Sequence, residues 1–203
     1  MKIGIIVGSL RKVSESGRVG EYLGGKIKNS GWAEVYLLDI GKEKIPFWDE
    51  DFPEKGDWKG KWEPISEELK SCDGYIIISP EYGGMASPAI KNFYLLCNKK
   101  ELAHKPALLV GVSAARGGAY PISELRMSGY KNTYVCFLPD HLILRDVESL
   151  LVEDDSSENL KKPDKYIRER IDYSLNILKA YSTALIEVRK QDIFDYKKYS
   201  NGM

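Results

Sequence analysis

Lys2-Ile3-Gly4-Ile5-Ile6-Val7-Gly8-Ser9-Leu10-Arg11-Lys12-Val13-Ser14 is the stretch whose reading decides the fold. Its apolar run, Ile3 to Val7, is too short for a helix core and long enough for a strand buried on both faces. Gly8 supplies the tight turn that ends such a strand. Ser9, Arg11 and Ser14 follow where a helix begins. The free N–H groups of a first helical turn, the positive end of the helix dipole, two hydroxyls and one guanidinium together suit a dianionic phosphate. The same residues also read as a strand followed by an ordinary capped helix, with Ser14 as the cap and Arg11 in solvent.

Further apolar runs repeat the pattern. Val35 to Leu38, Gly74 to Ser79, Ala107 to Val112 and Thr133 to Leu138 are predicted as four more strands. Between them lie helical spacings: Val19, Tyr22, Leu23 and Ile27 within 14–29, ended by Gly31; Ile65 to Ser71; and Ile90, Phe93, Tyr94 and Cys97 within Ala89 to Leu102. Ile122, Leu125 and Met127 mark another helix, and Ile167, Ile171, Leu175, Leu178 and Leu185 mark the last, from Tyr166 to about Arg189. Gly24-Gly25 argues against the first of these helices, since each glycine costs about 1 kcal/mol in a helix interior. Residues 42–64, with Trp48, Trp58, Trp62, Pro46, Pro53 and Pro64, read as an irregular excursion whose aromatics need covering. Asp146 to Lys162 reads as a charged surface loop, and the tail from Asp195 to Met203 has little to bury.

Strands alternating with helices specify an α/β fold with a parallel sheet, and right-handed crossovers favour the strand order 2-1-3-4-5. In such sheets ligands bind beyond the carboxyl ends of the strands, next to strand 1. The turns after strands 1, 3 and 4 are the Gly-rich or polar ones, so all three converge on one crevice. A chain of 203 residues, 43% hydrophobic and 30% charged, is expected to form one domain over 1–203, with 190–203 as a tail. Thirty basic residues balance thirty acidic ones. No global field draws this chain to nucleic acid or an anionic membrane, so an anion must be captured locally. Cys72, Cys97 and Cys136 lack metal-ligand spacing and read as small buried hydrophobes in a reducing compartment. The N-terminal run is cut off by Arg11 and Lys12 without a cleavage pattern, so a cytoplasmic protein with no membrane span is expected.

Two stretches carry a resemblance. Gly8 to Ser14 resembles the phosphate loop of the NADPH-dependent FMN reductases, a family of flavodoxin-like fold that includes quinone, azo-dye and chromate reductases. Ser79-Pro80-Glu81-Tyr82-Gly83-Gly84-Met85-Ala86-Ser87-Pro88-Ala89-Ile90-Lys91-Asn92 resembles its flavin-ring loop and the helix start that follows. The resemblance covers about residues 1–140 and implies a three-layer sandwich with helices on both faces of a five-stranded parallel sheet. It implies FMN as cofactor, NADPH or NADH as donor, and a small-molecule acceptor. It also implies a homodimer, or a dimer of dimers, in which a second subunit completes half-open flavin sites. Ser9, Arg11, Ser14 and Ser16 would then meet the FMN phosphate. Pro80, Glu81, Tyr82 and Gly83 would border the ring and ribityl chain, and Ser113, Ala114, Arg116, Gly117 and Gly118 would form the third flavin loop. Family members often carry Asn where this chain has Ser16, and Asn or His where it has Gly83. Arg116 is less usual at its place.

The residue types agree with flavin chemistry. The flavin itself is the electron sink, so no side-chain acid, base or metal cluster is required at the reacting atom, and none is predicted. His104 and His141 are isolated and read as structural. Glu81 reads best as a carboxylate that fixes its turn, and Tyr82 as a loop aromatic or a ring neighbour. Two alternatives stand beside the reductase. A flavodoxin-type electron carrier is disfavoured by the missing Thr-x-Thr-Gly-x-Thr loop and the zero net charge, and a flavin-binding protein without turnover is the other.

Overall fold

Successive residues of Lys2–Val7 (β1) alternate between two cores, and that alternation builds three layers. The computed structural model describes residues 1–52, 58–98, 100–153, 155–156 and 160–200, with backbone alone at 58 and 59. The other strands are Glu34–Asp39 (β2), Gly74–Tyr82 (β3), Met85–Ala86 (β4), Pro106–Val112 (β5) and Cys136–Leu144 (β6). The helices are Glu15–Asn29 (α1), Ile40–Glu43 (α2), Trp58–Ser71 (α3), Pro88–Leu96 (α4), Ala119–Met127 (α5), Tyr130–Thr133 (α6) and Lys162–Arg189 (α7).

The sheet runs β2-β1-β3-β5-β6 and is parallel throughout; only the two-residue β4 pairs antiparallel, with the end of β3. Leaving β4 aside, this is the expected order 2-1-3-4-5. Ile3, Ile5, Val7, Ile76, Ile78, Leu108 and Val110 face α1 and α7, meeting Val19, Leu23, Ile27, Ile171, Leu175 and Leu178. Ile6, Tyr75, Ile77 and Leu109 face α3, α4 and α5, meeting Leu69, Ile90, Phe93, Ile122 and Leu125. Burying each such side chain contributes about 1.5–3 kcal/mol, which is why the centre of the sheet is continuously apolar.

Several boundaries differ from the sequence expectation. The fifth main strand lies at 136–144 rather than 133–138. The strand continues through Pro139 because β6 is an edge strand with a register shift where Ala107 and Leu109 oppose it, and edges tolerate proline at such irregularities. Asp140 also fastens β6 to α7, accepting from Arg170 at 2.6 Å and from the Ser174 hydroxyl at 2.5 Å. α3 begins at Trp58, not Ile65, and contains Pro64 at the loss of one backbone hydrogen bond. Trp62 holds that first part down, since it is 3% exposed and packs edge-on against Phe52 and Phe93. The excursion therefore divides: Trp62 belongs to this chain's own core, while Phe47 and Trp48 are exposed. Pro53 and the Trp58 side chain lie outside the described residues. α4 stops at Leu96, short of Leu102. Within 146–162, Val147, Leu150 and Leu151 are buried, so that segment is partly core. Cys72 and Cys97 are buried, while Cys136 is only half-buried.

The tail also differs. Phe194 stacks on His104 with ring centroids 3.9 Å apart, and the Tyr134 hydroxyl donates to the Tyr199 carbonyl at 2.9 Å. Residues 201–203 lie outside the described residues. Burial and then the Arg189 charge push the His104 imidazole below the ordinary histidine range. Burial and then Arg126 shift His141 the same way. A histidine held neutral in the fold takes its proton more readily when unfolded. Stability from these sites is therefore complete above the unfolded pKa of about 6.5 and is lost as pH falls below it. Thermal unfolding measured from pH 8 to pH 5 should show Tm falling on the acid side, and the fall should be shallower in His104→Phe, which keeps the stacking surface and removes the proton.

Candidate functional site

The carboxyl ends of β1, β3 and β5 open into one cleft of about 300 Å³, lined by Ser9, Arg11, Val13, Glu15, Ser16, Pro80, Glu81, Tyr82, Val112, Ala114, Val147 and Glu148. The floor is set by Gly8. A Cβ there would lie 2.3 Å from the Ile90 side chain, so glycine is what lets β1 end directly over α4. The Gly8 amide donates to the Ile78 carbonyl at 2.9 Å, and the Ser87 hydroxyl donates to the Gly8 carbonyl. The Ser87 amide in turn donates to the fully buried Ser79 hydroxyl at 3.0 Å, so the ends of β1 and β3 are tied through one buried serine pair.

At the α1 end of the cleft, Ser14 is the N-cap and accepts from the Gly17 amide at 2.9 Å, an interaction worth about 1 kcal/mol. The capped-helix reading of Ser14 is thus part of the structure. It does not exhaust the stretch, because Ser9, Arg11 and Ser16 line the cleft and the first-turn amides of Glu15 and Ser16 have no acceptor within the helix. The hydroxyls of Ser9 and Tyr82 are hydrogen-bonded at 3.0 Å, and the Arg11 guanidinium sits 5.8 Å from the Tyr82 ring centre. β1 and β3 are therefore linked again at the mouth. Among the described residues no carboxylate pairs with Arg11.

The segment read as the second loop is a hairpin. Pro80, Glu81 and Tyr82 complete β3, Gly83 and Gly84 turn with φ of 57° and 76°, and Met85–Ala86 returns. Both turn residues need the left-handed region, which explains a Gly-Gly pair there. Glu124 accepts from the Ala86 amide and pairs with Lys91, which holds its carboxyl below the usual carboxylate range. Glu81 accepts from the Gly118 amide, so the hairpin also fixes the third loop. That loop is laddered to the segment after β6: Ser113 donates to Leu144, Asp146 to Ala115 and Val147 to Ser113, at 2.9, 2.9 and 3.2 Å.

Of the residues singled out in the sequence, Ser9, Arg11, Ser16, Pro80, Glu81, Tyr82 and Ala114 line the cleft together. Ser14 caps its helix, Gly83 forms the hairpin turn, and Ser113, Arg116, Gly117 and Gly118 belong to the adjoining loop. The sequence reading missed the opposite wall, Val147 and Glu148, and missed what holds it. Arg18 donates to the carbonyls of Val147, Leu150 and Leu151 at 2.7, 2.9 and 3.0 Å and grips the Glu15 carboxylate. A lone arginine on a helix carries no sequence signal for a contact more than a hundred residues away. Among the described residues no cluster of His, Cys, Asp and Glu is arranged to hold a metal ion, and no helix is long and apolar enough to cross a membrane.

The donor set fits a phosphate: two open amides at a helix N-terminus, the hydroxyls of Ser9 and Ser16, and an unpaired guanidinium. The volume is at the low end of the roughly 300–1,000 Å³ of ligand pockets.

Residues 1–146 match the family described as NADPH-dependent FMN reductase. An NADPH azoreductase from Bacillus sp. (strain OY1-2) is 26% identical over 192 residues, covering 94% of this chain and 98% of that protein. The quinone reductase of Escherichia coli is 29% identical over 112 residues, 54% of this chain and 58% of its own length. Among solved structures, the flavoenzyme NAD(P)H:(acceptor) oxidoreductase FerB from Paracoccus denitrificans superposes with a TM-score of 0.67 at 21% identity, covering 92% of this chain and 97% of its own.

Proposed function

The chain belongs to the NADPH-dependent FMN reductase family, and on that premise we propose that the cleft at the start of α1 holds the phosphate and ribityl chain of FMN. The chain is an NAD(P)H-dependent flavin oxidoreductase. The observation that carries the placement is the convergence of Ser9, Arg11 and Ser16 with Pro80, Glu81, Tyr82 and Ala114 in one cleft. Ser9, Ser16 and the amides at the start of α1 donate to the phosphate, and Arg11 supplies the cation. The rest of the proposed set completes the site: the Ser14 cap orients the first turn, Gly83 shapes the hairpin beside the ring, and Ser113, Ala114, Arg116, Gly117 and Gly118 present the backbone of the third loop. Glu81 acts as a strut, holding that loop against the hairpin.

FMN held by these residues would supply the electron sink for a two-electron, ping-pong transfer from NADPH or NADH to a quinone, an azo dye or a second flavin. The protein's part is to bind, orient and leave one face open. That open side is rimmed by apolar residues: Val13 is 85% exposed, and Leu10 and Met85 are exposed as well. Such a rim supports a homodimer in which a second copy covers the ring edge. The test uses purified protein with added FMN and NADPH or NADH. Oxidation of the nicotinamide should depend on FMN and on one of a quinone, an azo dye or free flavin. No turnover with any of them, despite bound FMN, would leave a flavin-binding protein and overturn the reductase reading. Light scattering at several concentrations tests the dimer.

A further inference from the structure

We propose that Arg18 is the positioning residue that makes the helix end of the cleft fit for a phosphate, and that it does so by holding the Glu15 carboxylate away from the anion. The proposal rests on the FMN reading above. Glu15 is the first residue of α1, lines the cleft and stands beside Ser16. A carboxylate at that position is drawn to the same positive helix end, and the same free amides, as a phosphate. Left alone it competes with the ligand and repels it.

Arg18, one turn later, removes that competition. Its Nε and Nη2 both donate to Glu15 Oε2, at 2.8 and 2.5 Å. The remaining donors go to three carbonyls of the far wall: Nη1 to Leu150 and Leu151, and Nη2 to Val147. One guanidinium thus neutralises the carboxylate and pins the segment that carries Val147 and Glu148 across the opening. Its forked donors meet both demands at once, which a lysine ammonium does not. The charge balance gives this weight. The cleft is lined by one cation, Arg11, and three carboxylates, Glu15, Glu81 and Glu148. Glu81 is engaged by the Gly118 amide and Glu15 by Arg18. Without Arg18 the phosphate would face an additional free negative charge within the first helical turn.

The experiment compares FMN with riboflavin, which lacks only the phosphate, by equilibrium titration of flavin fluorescence at one ionic strength. In Arg18→Gln the Kd for FMN should rise about tenfold or more, while that for riboflavin changes less than about threefold. The double variant Arg18→Gln with Glu15→Gln should recover FMN binding to within about threefold of the parent. Glu15→Gln alone should leave FMN binding unchanged or tighter. Equal weakening of both ligands in Arg18→Gln would mean that Arg18 merely braces the wall, and would overturn the proposal. Failure of the double variant to recover would do the same. Should Arg18→Gln not fold, Glu15→Gln still decides, since weaker FMN binding there contradicts a repelling carboxylate. A parent protein that binds no FMN defeats the FMN reading itself; a parent that binds FMN with Arg18→Gln unaffected defeats only the role of Arg18.

Discussion

Gly111→Ala should destabilise the protein by about 3 kcal/mol and loosen the proposed flavin site, although it adds only one methyl group. Gly111 is in β5, between Ser79 of β3 and Ile143 of β6. A Cβ there would lie 2.1 Å from the Gly118 carbonyl oxygen and 3.3 Å from Ile122. Backbone cannot step aside as a flexible side chain does. The third loop is held from several directions: the Glu81 carboxylate takes the Gly118 amide, Arg145 donates to the Gly117 carbonyl at 3.1 Å, and Asp146 and Val147 ladder onto Ala115 and Ser113. Moving Gly118 therefore breaks a polar contact or strains β5. For a chain of this size the loss corresponds to a fall in Tm of roughly 6–12 °C. Gly25→Ala is the control, because nothing lies within 4 Å of its added Cβ and a helical glycine replaced by alanine gains about 0.5–1 kcal/mol. Denaturant unfolding of the two variants should move in opposite directions. Equal stability of Gly111→Ala and the parent would show that the loop is far more compliant than its hydrogen bonds imply.

These two glycines also show what kind of information the sequence carries. Gly24-Gly25 argued locally against a helix, yet α1 forms because Val19, Leu23 and Ile27 bury one face on the sheet, a gain that outweighs the glycine cost. The central strands were legible for the same reason, since Ile3 to Val7, Ile76 to Ile78 and Leu108 to Val110 are buried from both sides and must be apolar throughout. β6 was not. It lies at the edge, and its Pro139 and Asp140 are accommodated by a register shift and by Arg170 and Ser174 of α7, partners 30 and 34 residues from Asp140.

The site divides along the same line. Ser9, Arg11 and the stretch from Pro80 to Tyr82 lie where strands end, which short-range reading finds, whereas Ser16 comes from the family resemblance alone. Val147 was hidden inside a charged segment, and the buried neighbours that turn it inward are not adjacent in sequence. Glu81, read as a carboxylate that fixes its own turn, accepts instead from the Gly118 amide and so ties the hairpin to the third loop. Trp62, one of the aromatics expected to need covering, packs edge-on against Phe52 and Phe93 of the same chain.

Arg11→Ala should weaken FMN binding by about 1.5–3 kcal/mol, roughly ten- to more than a hundredfold in Kd, and leave folding nearly untouched. Arg11 is exposed and lines the cleft, and among the described residues no carboxylate claims it. Its removal therefore exposes no buried partner, and the change in unfolding free energy should stay within about 0.5 kcal/mol. A phosphate at the start of α1 would lose its one unpaired cation, while the Ser9 and Ser16 hydroxyls and the helix amides remain. Because the guanidinium is solvated, salt screens it, and the loss should shrink toward the lower figure as ionic strength rises. Arg11→Lys separates charge from geometry: retention of most of the affinity assigns the effect to charge, and a loss like that of alanine assigns it to the forked donors. Riboflavin provides the internal standard, since its affinity should be the same in Arg11→Ala as in the parent to within about threefold. Unchanged FMN affinity in Arg11→Ala would remove the phosphate from this cleft and return residues 8 to 14 to a strand, a turn and a serine-capped helix.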